Sequence, residues 1–527
     1  MSVNQLGFLT LVFLSLVVYY VIPKKYQWCV LLGFSLWFYY LMGAYTFVYV
    51  ILTAGSLTLG TQQIYVLDKR LQKALNNRKR HLTRRSRKAL KNMYQKRKRK
   101  WMILLIVLNL GILLVLKYGD FFVENVNALL GKVGINEPAP LGLAAPLGIS
   151  YYTLQAIGYV LDVSKGKAVP EKNPLKVLLF VTWYPQMTQG PIGRFPDLTP
   201  QLLEDHDFSI ERFYGGCRRI LWGLFKKMII ANNLKPLVDS IFGQYDQVGG
   251  FTLFLGCIYM VFQMYADFSG YTDIVLGISG MYGISMMENF KRPLFSASLG
   301  EYWRRWHISL SSWFRDYVFY PVSISKGAVS FGKWGQNYFS PRIKKVFPVV
   351  YAMSVVWFCT GLWHDASWRY ILWGVANGVV LIGGVLLEPQ FSAAKKVLHI
   401  REEAWWWKGF SILRTFLIVA LLKVFPAADS TAGSFVIIGR ILGDFHPCLT
   451  YQALFLDTVW QNIVFGAVGL AVFFCAELLE TRKNLWEWIN ERSVPVRWSL
   501  YLLLIAMIVF MGNFDAVTAG GFEYAQF

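Results

Sequence analysis

The stretch Lys96-Arg-Lys-Arg-Lys-Trp-Met-Ile-Leu-Leu-Ile-Val-Leu-Asn-Leu-Gly-Ile-Leu-Leu-Val-Leu-Lys117 decides the fold. Five cations in a row lead into an apolar run, 102–117, whose strongly polar side chains are Asn109 and the closing Lys117. A bilayer-spanning helix needs roughly 17–25 mostly apolar residues, and Lys or Arg beside it hold that end in the cytoplasm. The stretch reads as a transmembrane helix rising from a basic cytoplasmic segment. Outward from it, comparable runs recur at 7–22, 27–42, 45–66, 349–363, 371–387, 409–425, 460–476 and 498–512. Several are just under spanning length and need flanking aromatic residues to complete them. The 527 residues are 55% hydrophobic and only 16% charged, too little charge for a soluble chain of this size. The expectation is an all-α, polytopic membrane protein forming a single domain over 1–527. It should have about eleven to thirteen transmembrane helices, plus re-entrant and interfacial helices around a central cavity.

Charge placement sets the expected orientation. Much of the net charge of +22 is concentrated in 69–100, read as a basic cytoplasmic loop that can touch anionic membrane lipids. That placement argues against nucleic acid as a partner. Lys24 and Lys25 put the end of the first span inside, and the run 7–22 has no small-residue cleavage site after it. The N-terminus is therefore expected outside, on a retained span. Arg482, Lys483, Arg492 and Arg497 precede the final run, so 498–527 should be a last span with an extracellular tail. The six cysteines show no CxxC spacing and no HExxH occurs, so neither a metal nor a bound cofactor is expected.

Chemistry is concentrated in the middle of the chain. Residues 163–250 mix charge, Pro and Gly, as in Trp183-Tyr-Pro-Gln-Met-Thr-Gln-Gly-Pro-Ile-Gly-Arg194. Such backbone survives at membrane depth only where protein or a water-filled cavity covers it. Asp267 and Asp273 interrupt the apolar pattern of 251–282 and should face the protein interior. Laid on one helix, 301–320 groups Trp303, Trp306, Leu310, Trp313 and Tyr317 against Arg304, Ser311 and Arg315, with His307 at the edge. That pattern predicts an amphipathic interfacial helix. A second histidine, His364, lies in Gly361-Leu-Trp-His-Asp-Ala-Ser-Trp368. Imidazole exchanges protons near neutral pH, and ionisable groups in apolar membrane sequence mark function.

Several motifs occur in order: Pro146-Leu-Gly-Ile-Ser-Tyr-Tyr152, Pro185-Gln-Met-Thr-Gln-Gly-Pro-Ile-Gly-Arg194, Tyr265-Ala-Asp-Phe-Ser-Gly-Tyr-Thr-Asp273, Asn289-Phe-Lys-Arg-Pro293 and Gly361-Leu-Trp-His364. Together they resemble the membrane-bound O-acyltransferases, in the bacterial alginate O-acetylase branch related to the teichoic-acid D-alanyl transferases. The resemblance implies that His364 is the essential base and His307 a second functional position. Arg304 or Arg315 would steady an oxyanion or donor phosphates, while Asp267, Tyr271, Gln189 and Arg194 would line the substrate path. It also implies acetyl-CoA as acyl donor, a cell-surface polysaccharide as acceptor and an extracellular SGNH-hydrolase-like partner, in a bacterial plasma membrane. Departures are Pro321-Val-Ser-Ile324, Asp365 after the histidine, and Phe425-Pro-Ala-Ala428. D-alanyl transfer from a carrier protein is the nearest alternative. A proton-coupled transporter is the alternative from another class, and it lacks the paired interrupted repeats such a protein would show.

The chain ends Phe522-Glu-Tyr-Ala-Gln-Phe527, which resembles the tail of the small peptide that accompanies the D-alanyl transferase, where a tyrosine carries the acyl group. A phenol, with a pKa of about 10, loses its proton more readily than a sugar hydroxyl. Tyr524 should therefore appear as O-acetyl-tyrosine by mass spectrometry after incubation with donor. Tyr524→Phe should block polymer acylation while leaving the rest of the chain intact.

Overall fold

A computed structural model describes residues 6–43, 46–77, 83–133, 138–187, 189–445 and 460–514. Tyr524 and most of the tail lie outside them. The described residues form helices joined by turns and short irregular segments, and they fall into two compact units. Among them, eight helices are long and apolar enough to cross a membrane. That number is below the expected eleven to thirteen because apolar helices such as Leu6–Val21, Gln27–Gly43 and Ile149–Ser164 have only 16 or 17 residues.

The first unit comprises 6–216 and 278–287. Its helices are α1 (Leu6–Val21), α2 (Gln27–Gly43), α3 (Phe47–Asn77), α4 (Arg84–Leu130), α5 (Ile149–Ser164), α6 (Pro174–Thr182) and α7 (Phe195–Leu203). The basic segment 69–100 is helical over 69–77 and 84–100, not a loop. Its cations favour helix by propensity, and α3 and α4 simply run on beyond their apolar stretches. Around α6 and α7 the Pro- and Gly-rich segment is buried as expected: Trp183, Tyr184 and Gln189 are at most 1% exposed. Gly148 has a left-handed φ of 70° and abuts the carbonyl of Met187, an approach that a Cβ would block. The hydroxyl of Tyr184 lies 2.8 Å from that of Tyr282, and Ser15 completes a buried hydroxyl cluster.

The second unit comprises 217–277 and 288–514 among the described residues. Its helices include the end of α8 (Ile210–Phe225), α9 (Asn232–Gly243), most of α10 (Gly250–Met281), α11 (Leu299–Arg305), α12 (Ile308–Phe314) and α13 (Lys326–Tyr338). They continue with α14 (Ile343–His364), α15 (Trp368–Leu386), α16 (Trp405–Leu422), α17 (Thr431–Gly443), α18 (Trp460–Leu479) and α19 (Val494–Met511). Asp267 and Asp273 do not break α10. Both are held inward by lysines from a π-helical turn, Lys226–Ala231, that joins α8 to α9. Lys227 pairs with Asp267, and Lys226 pairs with Asp273. The extra residue in a π-turn shifts the helix register locally, a feature frequent at functional sites.

The Lys227–Asp267 pair is almost sealed, with side-chain exposures of 5% and 2%. Removing one partner of such a pair costs roughly 3–5 kcal/mol, because the other is left as an uncompensated buried charge. Lys227→Met should therefore lower the melting temperature of the purified protein far more than the double change Lys227→Met with Asp267→Leu. Thermal unfolding in detergent checks that ordering.

Candidate active site

The segment 301–320 is not one helix. It breaks at His307, whose φ of 46° places a non-glycine residue in the left-handed region between α11 and α12. Arg292 has a matching φ of 47°. Such conformations cost on the order of 1–3 kcal/mol and persist only where surrounding contacts enforce them. Here the contacts are backbone bonds between two segments. Lys291 N–H donates to Arg305 C=O and Ile308 N–H to Asn289 C=O, both at 3.0 Å. The Asn289 side chain completes the brace: its Oδ1 accepts from the Ser309 amide at 3.0 Å and lies 3.4 Å from His307 Nδ1. A helix pattern in sequence gives way to this brace because the tertiary bonds replace the helical ones lost at the break.

His307 is 1% exposed, its ring 4.8 Å from that of Phe268 and 6.1 Å from that of Trp363. Burial pushes its pKa down to about 3, so it is neutral across the physiological range. His364 closes α14 and is 4% exposed. Its ring lies 5.0 Å from both Trp363 and Trp373 and stacks at 6.2 Å on Tyr370. Trp363 thus touches both imidazoles. α14 and α15 approach closely because Gly361 and Gly374 face backbone: a methyl at Gly361 would strike the Tyr370 carbonyl, and one at Gly374 the Trp357 carbonyl.

A cavity of about 470 Å³ opens at the segment that braces His307, and neither histidine is among the residues that line it. Phe290, Lys291 and Arg292, from the same segment that braces His307, form one wall. Arg219, Lys226, Tyr265, Asp273, Glu477 and Glu480 form others. Arg219 grips Glu288 with two bonds of 2.7 and 2.6 Å and also reaches Asp273 at 3.1 Å. Tyr265 donates to Glu477. Burial raises the Glu480 carboxyl above its usual range against the pull of Lys226. Arg219, Lys226, Lys291 and Arg292 in this lining face Asp273, Glu288, Glu477 and Glu480, and Arg292 attracts the Glu480 carboxylate. A second cavity, about 320 Å³, is lined by Asp239, Met264, Asp267, Arg369 and Asp429 among others.

Not every expected residue joins the histidines. Asp267 is bound to Lys227 and lines the second cavity, and Tyr271 is buried on α10. Arg304 is exposed. Arg315 is exposed too and binds its neighbour Asp316 at 2.9 Å. Gln189 and Arg194 belong to the first unit, where Gln189 is buried and Arg194 lines a small cavity with Asp197 and Ser285. Sequence reasoning passed over Lys226, Lys227, Glu477, Arg219, Asn289 and Arg292. The signal for two of them was legible: adjacent lysines inside Leu221-Trp-Gly-Leu-Phe-Lys-Lys-Met-Ile-Ile-Ala231 require acids at equal depth.

The second unit thus holds two buried imidazoles and, at the segment that braces one of them, a cavity lined by cations and carboxylates in equal number. Residues 171–332 match the model of the MBOAT, membrane-bound O-acyltransferase family. That span contains Asp267, Asn289 and His307 and ends before His364. The chain is 34% identical over 282 residues to the probable alginate O-acetylase AlgI of Azotobacter vinelandii, covering 54% of this chain and 53% of that protein. It is 29% identical over 453 residues to the peptidoglycan O-acetyltransferase of Helicobacter pylori, covering 77% and 80%. It is 29% identical over 258 residues to the teichoic acid D-alanyltransferase of Bacillus subtilis, covering 46% and 59%. The chain spans about half the length of the alginate O-acetylases it matches.

Asn289 acts on the histidine without being a candidate for chemistry itself. Asn289→Leu should release the left-handed turn and misplace His307, and misplacement of about 1 Å can cost on the order of 10²-fold in rate. Asn289→Asp, which keeps the acceptor for the Ser309 amide, should restore much of the loss. Transfer assays on both variants, with melting curves to confirm folding, separate the two outcomes.

Proposed function

We propose that this protein is a membrane O-acyltransferase that takes an acetyl group from acetyl-CoA on the cytoplasmic side and passes it toward O-acetylation of an extracellular polysaccharide. The observation that carries the reading is the shared placement of His307, its brace and two cations at the wall of the cavity. One short segment, 289–292, supports the imidazole at one end and supplies Lys291 and Arg292 to the cavity wall at the other. Those cations suit the phosphates of a CoA thioester, which are the only part of the donor that needs counter-charge. By the charge rule, Arg482 and Lys483 follow α18 on the cytoplasmic face, and the neighbouring Asn484 and Trp486 rim the same cavity.

The division of labour between the imidazoles follows from burial. His307 stays neutral and is too weakly basic to accept a proton at neutral pH, so it serves as a hydrogen-bonding group for the thioester oxygen. His364 is the general base. It takes the proton of the attacking hydroxyl as the oxygen–carbon bond forms. Collapse of the tetrahedral intermediate breaks the carbon–sulfur bond, and the departing thiolate receives that proton, leaving an ester and free CoA thiol. The attacking hydroxyl is that of Tyr524 in a relay, or of the acceptor itself, and onward transfer uses an extracellular SGNH-hydrolase-like partner. The alginate and peptidoglycan O-acetylating relatives support acetyl as the acyl group and a surface glycan as its destination.

His364→Ala should lower acetyl transfer by about 10²–10⁴-fold while the protein still inserts and folds. His307→Gln should reduce the rate without moving the acid limb of the pH profile, since His307 does not titrate there. Turnover of acetyl-CoA by the purified protein with its partner measures both. Near-normal turnover by His364→Ala would remove the assignment.

A further inference from the structure

The basic part of the first unit is a rigid rod. Asn109 bonds Ser56 at 3.2 Å, Leu105 fills the space over Gly60, and Lys98 pairs with Asp68. These three contacts keep one antiparallel register between α3 and α4. Carried onward, the register sets Leu71 opposite Tyr94 and Leu75 opposite Leu90, and all four are half-buried while most of their neighbours are exposed. A narrow seam of this kind is what joins two helices outside a membrane. No Pro or Gly lies in 84–100, so nothing there bends α4 away from the direction of its apolar part.

The length of the rod separates two sets of cations. The apolar stretch of α4 begins at Trp101. The headgroup layer on each side of a bilayer is about 5–8 Å deep, or some four or five residues of helix at about 1.5 Å per residue. Lys96, Arg97, Arg99 and Lys100 fall within it. Lys91 lies about 15 Å from Trp101, and Arg84 about 25 Å. At physiological salt the screening length is about 8 Å, so Arg84, Arg85, Arg87 and Lys88, about 20–25 Å from Trp101, lie beyond the reach of lipid charge. Yet Arg84, Arg85, Arg87 and Lys88 are exposed, and no Asp or Glu accompanies them in 71–77 or 84–91. Headgroup contact and topology account for the inner set alone.

We infer that the outer half of this hairpin is a docking surface for a soluble cytoplasmic protein presenting a face of Asp and Glu. Charge complementarity selects the sign of the partner, and reach excludes the membrane. Shape selects protein over duplex nucleic acid. Two packed helices are about 20 Å across, wider than the roughly 12 Å major groove that admits one helix. The inference does not depend on the acyl-transfer reading.

The test uses the full chain in nanodiscs of neutral lipid at 0.15 M salt, a concentration at which weak phosphate contacts fade. The probes are a helical peptide with a stripe of eight Glu residues and a single-stranded oligonucleotide of eight phosphates. An outer variant carries Gln at 84, 85, 87 and 88. An inner variant carries Gln at 96, 97, 99 and 100. Glutamine keeps helix propensity, and circular dichroism checks that both variants fold. The acidic peptide should bind the wild type and the inner variant alike and bind the outer variant at least about tenfold more weakly. Equal losses in both variants would overturn the proposal. So would tighter binding of the oligonucleotide, or protection of the outer cations by phosphatidylglycerol vesicles, which would mean that the rod lies on the membrane.

Discussion

A charge inside an apolar helical bundle has to meet its counter-charge there, because neither lipid nor the packed interior can solvate it. In this protein that constraint falls on two consecutive lysines of a π-turn and two aspartates on α10. The aspartates are six residues apart, about 9 Å along the helix. Lys226 and Asp273 stand at the larger cavity, and Asp267 stands at the second. The ion pairs therefore tie α8, α9 and α10 together and also form part of the walls around which the second unit is organised. The short spacing leaves little freedom to either cavity.

A second constraint is backbone strain held in place. His307 and Arg292 both adopt left-handed backbone, and each is trapped by bonds between 289–292 and 305–309. The segment 289–292 is irregular, and 305–309 joins the end of α11 to the start of α12. Their mutual pairing fixes the imidazole between Phe268 and Trp363 while placing two cations at the cavity wall. Position and charge are thus supplied by the same four residues. The closing turn of α14 acts similarly for His364, where small residues rather than strained ones permit the approach: Gly361 and Gly374 bring α15 near enough for Trp373 to meet the imidazole edge.

Aromatic residues do more here than anchor helices in a membrane. Trp306 packs against Tyr302, Tyr265 and Phe290, and the Lys423 ammonium lies 5.5 Å from its ring. Lys423 also reaches the Met264 sulfur at 2.9 Å. A polarisable sulfur and a ring face are weaker partners than a carboxylate, but they lower the cost of a buried ammonium without adding negative charge near the histidines.

The apolar runs, the break-prone middle segment and the two histidines were readable from residues alone. Each depends on a local property: chain length in a bilayer, the backbone limits of Pro and Gly, or the titration range of imidazole. The inward facing of Asp267 and Asp273 was readable for the same reason. What the linear pattern could not supply was partnership. A helical wheel placed Arg304 and Arg315 beside His307, but two bonds from Asn289 brace a break in that helix, and both arginines are exposed. Periodicity describes a helix that continues, and only tertiary bonding decides where continuing costs more than stopping. The basic segment 69–100 read as a loop because its charge has no membrane-spanning role, yet a seam of Leu71, Leu75, Leu90 and Tyr94 makes a rod of it. The site's cations likewise came from Arg219, Lys226, Lys291 and Arg292, which are far apart in sequence and meet only because the fold brings their helices around one cavity.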